Sequence, residues 1–354
     1  MNQTPVAKTN PGNFFEDFRL GQEIRHATPR TVTLGDVALY NGLFGSRFAV
    51  QSSDAFAAKI GYPRSPLDDL LVFHVVFGKT VPDISLNAVA NLGYADCRFL
   101  KAVYPGDTLH SVSQVIGLKE NSNRKTGIVY VRSHGFNQTG DIVLDYARWV
   151  MVRKRDEAAP APGEIVPDLP KSVDVSKLGA ACPTIDTAAY DTVLSGSPHR
   201  FGDYKAGERI DHVDGITVEE AEHMIATRLY QNTARIHFNQ FAESKGRFGH
   251  RLIYGGHAIS LARALSFNGF GNAFHVAAIN GGRHVAPLFA GCTVFAWSEV
   301  LATAELPGRK DVGALRLRTV ATKGRPCADF PFKSGDEYDP AVILDLDYWV
   351  LLPR

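Results

Sequence analysis

Two widely separated parts of the chain carry the same succession of apolar and polar patterns. Residues 128–136 (IVYVRSHGF) alternate, and 143–152 (VLDYARWVMV) are rich in β-branched and aromatic residues. Residues 314–322 (ALRLRTVAT) and 341–352 (AVILDLDYWVLL) repeat those two characters. Such runs predict strands. Ahead of each group the pattern predicts a helix, Leu34–Leu43 in the first part and Val218–Leu229 in the second. Thr217, with Glu220 three residues on, reads as a capping-box start for the latter. An irregular segment follows, then an apolar helix near Asp68–Lys79 or Gly256–Leu265. Helix first, then a run of antiparallel strands, predicts an α+β layer with the sheet wrapped round the helix.

The two parts are copies. Phe15 to His26 (FEDFRLGQEIRH) and Phe201 to His212 (FGDYKAGERIDH) both fit F-x-D-[FY]-[KR]-x-G-x-x-I-x-H. At the same spacing Thr31-Val32 falls on Thr217-Val218, and Leu43-Phe44 on Leu229-Tyr230. Further on, Arg98–Gly106 aligns with Arg283–Gly291, and Trp149 with Trp349, once an insertion in the turn-rich 324–340 is allowed. The expected organisation is one copy over 13–155, a connection over 156–200, and a second copy over 201–354. Pro160, Pro162, Pro167, Pro170, Pro183 and Pro198 make the connection extended, crossing the surface so that the copies lie side by side. Joining their sheets edge to edge about a pseudo-twofold axis would hide strand edges that a lone copy exposes.

Composition narrows the class. The chain has 354 residues, 45% hydrophobic and 21% charged, with a formal net charge of +1. That is globular composition without the basic excess of a nucleic-acid or membrane-surface binder. No apolar run reaches the ~18 residues of a membrane span, and the polar N-terminus has no signal-peptide core. Cys97, Cys182, Cys292 and Cys327 form no CxxC pair, as expected of a reduced, cytoplasmic chain.

No P-loop, HExxH or G-x-S-x-G occurs, and Gly269-Phe270-Gly271 lacks the third glycine of a dinucleotide fingerprint. His250 and His257 have no third ligand in view and are read as surface or core histidines, so no metal is expected. What remains is the irregular segment of the second copy, Tyr230-Gln231-Asn232-Thr233-Ala234-Arg235-Ile236-His237-Phe238-Asn239, followed by Arg251-Leu252-Ile253-Tyr254-Gly255-Gly256-His257.

The duplication and these residues resemble the MaoC-like hydratases of the hotdog fold, in their tandem form. That family carries D-x-N-P-[IV]-H-x-D and then P-[IV]-x-H-G-M; Ile236-His237 and Gly255 match. Asn232 stands where the family has its aspartate, Ala234-Arg235 where it has Asn-Pro, and Tyr254 where it has the second histidine. Ser46 and Gln51 occupy the corresponding places of the first copy. The phrases LYQNTARIHFN, RFAVQSSDAFA and DDLLVFHVVFGKTV resemble a subgroup, the mesaconyl-CoA hydratases, also called β-methylmalyl-CoA dehydratases. The resemblance implies a double hotdog and reversible hydration of 2-methylfumaryl-CoA. It also implies no cofactor beyond the coenzyme A of the substrate, and a homodimer or larger homo-oligomer.

Hydrating an enoyl thioester requires a polarised carbonyl, a water activated for Cβ, and a proton for Cα. Unpaired amides at a helix N-terminus suit the first need, and Gly255-Gly256 would let the thioester oxygen approach. His237 suits the water, because imidazole both takes and gives a proton near neutrality. Asn232 carries no proton and can only orient, so a second carrier is absent or lies elsewhere. Asp68 and Asp69 are candidates, with Asp54 beside them, if the copies face one another; otherwise the pair simply favours a helix start. Arg235, two residues before His237, is the candidate for gripping a second carboxylate of the substrate, unless it is paired structurally. Arg251 and Arg283 are weaker candidates for that task. Open alternatives are an (R)-specific enoyl-CoA hydratase or 3-hydroxyacyl-CoA dehydratase, a hotdog acyl-CoA thioesterase, and a non-catalytic acyl-CoA-binding protein.

Overall fold

The computed structural model describes residues 8–354; the start of the polar N-terminus lies outside the described residues. The first half runs β1 (Glu23–Thr31), α1 (Leu34–Phe44), α2 (Ala49–Ser52), α3 (Asp54–Lys59), α4 (Asp69–Thr80), β2 (Ala88–Phe99), β3 (Thr108–Glu120), β4 (Thr126–Phe136) and β5 (Ile142–Arg153). The second half begins with β6 (Arg209–Thr217), α5 (Glu220–Leu229), α6 (Arg235–Phe238), α7 (Gln240–Glu243), α8 (Gly255–Leu265) and α9 (Phe267–Phe270). It ends with β7 (His275–His284), β8 (Thr293–Glu305), β9 (Val312–Lys323), the short β10 (Lys333–Ser334) and β11 (Glu337–Tyr338), and β12 (Val342–Pro353).

The ten long strands make one antiparallel sheet in the order β1-β3-β4-β5-β2-β7-β12-β9-β8-β6. From the middle outward the two halves have the same connectivity, and they meet where β2 pairs with β7, Ala95 opposite Gly281 and Cys97 opposite Ile279. The expected α+β double hotdog, with sheets joined edge to edge, is what is seen. A helix that is apolar all round has to be buried. Accordingly α4 lies against β1, β3 and β5, and α8 against β6, β8, β9 and β12. Both are buried along almost their whole length, and one apolar core runs through the two halves. Gly78 on α4 lets the second half approach: a Cβ there would lie 1.9 Å from the Tyr230 carbonyl oxygen. No helix among the described residues is long and apolar enough to cross a membrane.

Two local expectations are corrected. Thr217 does not cap α5; it ends β6, its hydroxyl bonds Thr293 across the strands at 2.9 Å, and the helix starts at Glu220 without a side-chain cap. A cross-strand hydroxyl pair has taken the group that the spacing alone assigned to the helix. The capping box sits in the first half instead, where Thr33 and Asp36 cap α1. The proline-rich connection is also more than a surface crossing. Its Val173, Leu178, Cys182, Ile185 and Tyr190 are buried against Phe56, Phe274, Trp349 and Leu351, forming a second apolar cluster.

Candidate active site

A cavity of about 370 Å³ opens between the halves. From the second half it is lined by Asn232, His237, Tyr254, Gly255 and His284; from the first by Phe77, Ser85, Asn91, Tyr94 and Arg148. The second half alone does not make this site.

The irregular segment is shaped by its own side chains. Asn232 Oδ1 accepts the Ala234 N–H at 3.1 Å, an Asx turn that aims the chain into α6. The two motif segments are then held to each other through Leu252: its N–H donates to the Ile236 carbonyl at 3.0 Å, and its carbonyl lies 2.8 Å from His237 Nδ1. A carbonyl can only accept, so Nδ1 carries the proton and Nε2 keeps a free lone pair. Burial depresses the His237 pKa to about 4, the Leu252 carbonyl opposing this only in part. The ring is therefore neutral at physiological pH and is available as a base.

Tyr254 is buried, with its hydroxyl 3.4 Å from His74 Nδ1 and its ring edge-on to His237, centroids 5.5 Å apart. Its backbone N–H donates to His223 Nε2 at 2.9 Å. Tyr254 is also the N-cap of α8 and supplies no side-chain cap; the His257 N–H bonds its carbonyl at 2.8 Å, which leaves the Gly255 and Gly256 amides without an intrahelical acceptor. Gly255 borders the cavity there; Gly256 does not, and packs against Tyr254 and His74. His284, from the end of β7, covers Gly255 and has Nε2 3.5 Å from the Tyr94 hydroxyl. Burial also takes the His284 pKa down to about 4, with His237 adding to the effect.

Besides Gly256, several other expected residues are not brought to the cavity. Arg235 is exposed and donates to Asn87 Oδ1 at 3.3 Å. It is two residues from His237 on α6, about 200° round a helix, so the two side chains leave on opposite sides. Asp68 caps α4, accepting the Leu70 N–H at 2.9 Å, and Asp69 accepts from His275 Nδ1 at 2.9 Å and Val276 N at 2.8 Å. Burial and the neighbouring Asp69 push Asp68 up to about 6. Both carboxylates lie at the counterpart of the site in the first half. There Gln51 donates to the Phe274 carbonyl at 2.6 Å, and the Arg263 guanidinium lies 3.6 Å from the centre of the Phe48 ring. Asp54 accepts the Ser65 N–H, Arg251 pairs with Glu220 at 2.6 Å, and Arg283 lies over Tyr338. His250 is exposed and His257 buried.

The residues that sequence reasoning missed are Tyr94, Arg148 and His284, all on strands. One signal is legible: Arg148 and Asp145 are the charged residues of an otherwise apolar and aromatic run, VLDYARWVMV. Among the lining residues none is a carboxylic acid, so proton traffic in the cavity falls to histidine and tyrosine.

Residues 4–337 match the family model described as mesaconyl-CoA hydratase. The chain is 65% identical over 349 residues to the β-methylmalyl-CoA dehydratase of Chloroflexus aurantiacus, covering 98% of this chain and 99% of that one. It is 60% identical over 350 residues to the mesaconyl-CoA hydratase of Cereibacter sphaeroides, covering 98% and 100%. Among solved structures, a MaoC domain protein dehydratase from C. aurantiacus superposes with a TM-score of 0.96 at 64% identity, over 99% of both chains. A Mycobacterium tuberculosis protein with a double hotdog fold superposes at 0.77 and 26% identity, over 97% of this chain and 99% of that one. The chain belongs to the mesaconyl-CoA hydratase family.

Proposed function

We propose that this protein catalyses the reversible addition of water to mesaconyl-CoA (2-methylfumaryl-CoA), giving β-methylmalyl-CoA. The names of its 65% and 60% identical relatives support the substrate. The observation that carries the chemistry is His237: a neutral imidazole in the cavity wall, held by Leu252 with Nε2 free, beside the uncapped start of α8. The thioester oxygen lies at the Gly255 amide, where backbone donors and the helix dipole favour the negative charge that grows on it. Asn232 orients the water, and His237 Nε2 takes its proton as oxygen bonds to Cβ. An imidazole whose pKa is depressed to about 4 is a better proton donor, once charged, than an ordinary histidine. It returns the proton to Cα, so a single residue serves both steps and no carboxylate partner is required.

The cavity draws on coenzyme A only as part of the substrate. A hotdog thioesterase would place a carboxylate or an activated water at the thioester carbon, and no carboxylate lines this cavity. We further propose a cytoplasmic homodimer or larger homo-oligomer, which sedimentation of the purified chain tests. For the activity, mesaconyl-CoA is incubated with the protein while enoyl-thioester absorbance and free thiol are followed together. Loss of absorbance with a mass gain of one water, and no thiol, is expected. Thiol release without hydration would overturn the reading.

A further inference from the structure

Arg148, a fully buried cation of the cavity wall, is left unexplained by hydration of a plain enoyl thioester. It stands in the middle of β5, opposite Tyr94 of β2, and is fully buried. Its Nη2 donates to Thr80 Oγ1 at 2.7 Å and lies 3.4 Å from Ser85 Oγ, and the guanidinium sits over the Phe77 ring, 4.2 Å from its centre. Nε and Nη1 are buried and have no hydrogen-bond partner. No carboxylate among the described residues pairs with it. Other arginines of the same sheet are matched: Arg98 and Arg132 with Asp145, and Arg316 with Asp347. A guanidinium does not deprotonate in a protein, so the cation persists without a counter-charge. Burying such a charge unpaired is unfavourable, and hydroxyls and an aromatic face answer it only in part. Arg148 lines the same cavity as His237 and Tyr254.

We propose that Arg148 receives the free carboxylate of the acyl group and so selects a dicarboxylic thioester over a plain one. This rests on the hydration reading of the same cavity. In mesaconyl-CoA the carboxylate is attached to Cβ, the carbon that takes the water oxygen. Anchoring it therefore also fixes that carbon with respect to His237, and the substrate supplies the counter-charge that the fold omits. Arg235, exposed and bonded to Asn87, does not meet this need.

The test compares kcat/KM for mesaconyl-CoA and for (E)-2-methylcrotonyl-CoA, which has a methyl group in place of the carboxylate and is otherwise the same shape. Wild type is expected to favour mesaconyl-CoA strongly. Arg148→Met should lower the ratio about 10- to 150-fold, the scale of one charge-assisted hydrogen bond, while sparing or raising the rate on the methyl analogue. Arg148→Lys, which keeps a charge but not the fork, should fall between. A ratio unchanged within about threefold in Arg148→Met overturns the proposal. Should that variant not fold, wild type decides: comparable kcat/KM for the two thioesters overturns it without any variant. Wild type that hydrates the methyl analogue but not mesaconyl-CoA rejects the dicarboxylate while leaving hydratase chemistry intact. Wild type that hydrates neither rejects the hydration reading itself, and the proposal with it.

Discussion

Gly255 has no side chain because the ring of His284 occupies the place where one would be: a Cβ there would lie 2.4 Å from His284 Cε1 and 2.5 Å from Nε2. The start of α8 and the end of β7 are thus interlocked at the point where the thioester oxygen is proposed to bind. Gly255→Ala should displace the imidazole, costing about 1–3 kcal/mol of stability by overpacking. It should cost activity out of proportion, at least tenfold in kcat/KM, because the amide and the histidine shift together. Thermal unfolding and initial rates on one preparation check this; a variant with normal rates would show that the close contact is not functional.

His237→Gln should fold normally and lose about 10² to 10⁴ in kcat, the usual worth of a general base. His284→Gln should lose much less, because the proposed mechanism sends both proton transfers through His237. Equal losses in the two variants would make His284 a second proton carrier and end the single-residue account.

The acidic limb of the activity profile should lie far below the ordinary histidine range. His237 must be neutral to act, and in the fold it protonates at about pH 4. The kcat/KM for mesaconyl-CoA should therefore be nearly flat from about pH 8 down to about pH 5.5, measured as initial rates on protein held at neutral pH until mixing. A midpoint between pH 6 and 7 would show that the base is solvated or a different group.

Stability should behave in the opposite way. His74, His212, His223, His237, His257 and His284 are all depressed by burial, to between about 2 and about 4, from the ordinary 6.5. Between the folded and unfolded pKa the unfolded chain binds more protons, so stability is fullest above about pH 6.5 and falls as the pH drops. Each such histidine withdraws at most about 2 kcal/mol between pH 6.5 and 5. Urea midpoints across that range should fall steeply; a constant midpoint would mean that these rings are hydrated in solution.

Much of this was legible in the chain. The duplication, the α+β order and the meeting of Asn232, His237, Tyr254 and Gly255 all follow from local pattern, because these residues sit within two short segments that Leu252 ties together. Arg148, Tyr94 and His284 were not legible as a group. They come from β5, β2 and β7, and only strand register and the β2–β7 seam place them round one cavity. Arg235 shows a different limit: nearness in sequence is not nearness in space, and two residues on a helical turn point apart. Thr217 shows the same limit, since a hydroxyl at a capping spacing is also free to bond across strands.

The central claim is that water adds to Cβ of a dicarboxylic acyl-CoA at His237, and oxygen exchange reads that step directly. β-Methylmalyl-CoA is incubated with the protein in water enriched in oxygen-18, and the intact thioester is examined by mass spectrometry. Reversible loss and re-addition of water should place the heavy oxygen in the hydroxyl group, a gain of two mass units, with no free coenzyme A and with the exchange suppressed in His237→Gln. Label found only in a released carboxylic acid, or an unlabelled thioester recovered from active wild type, would contradict the account.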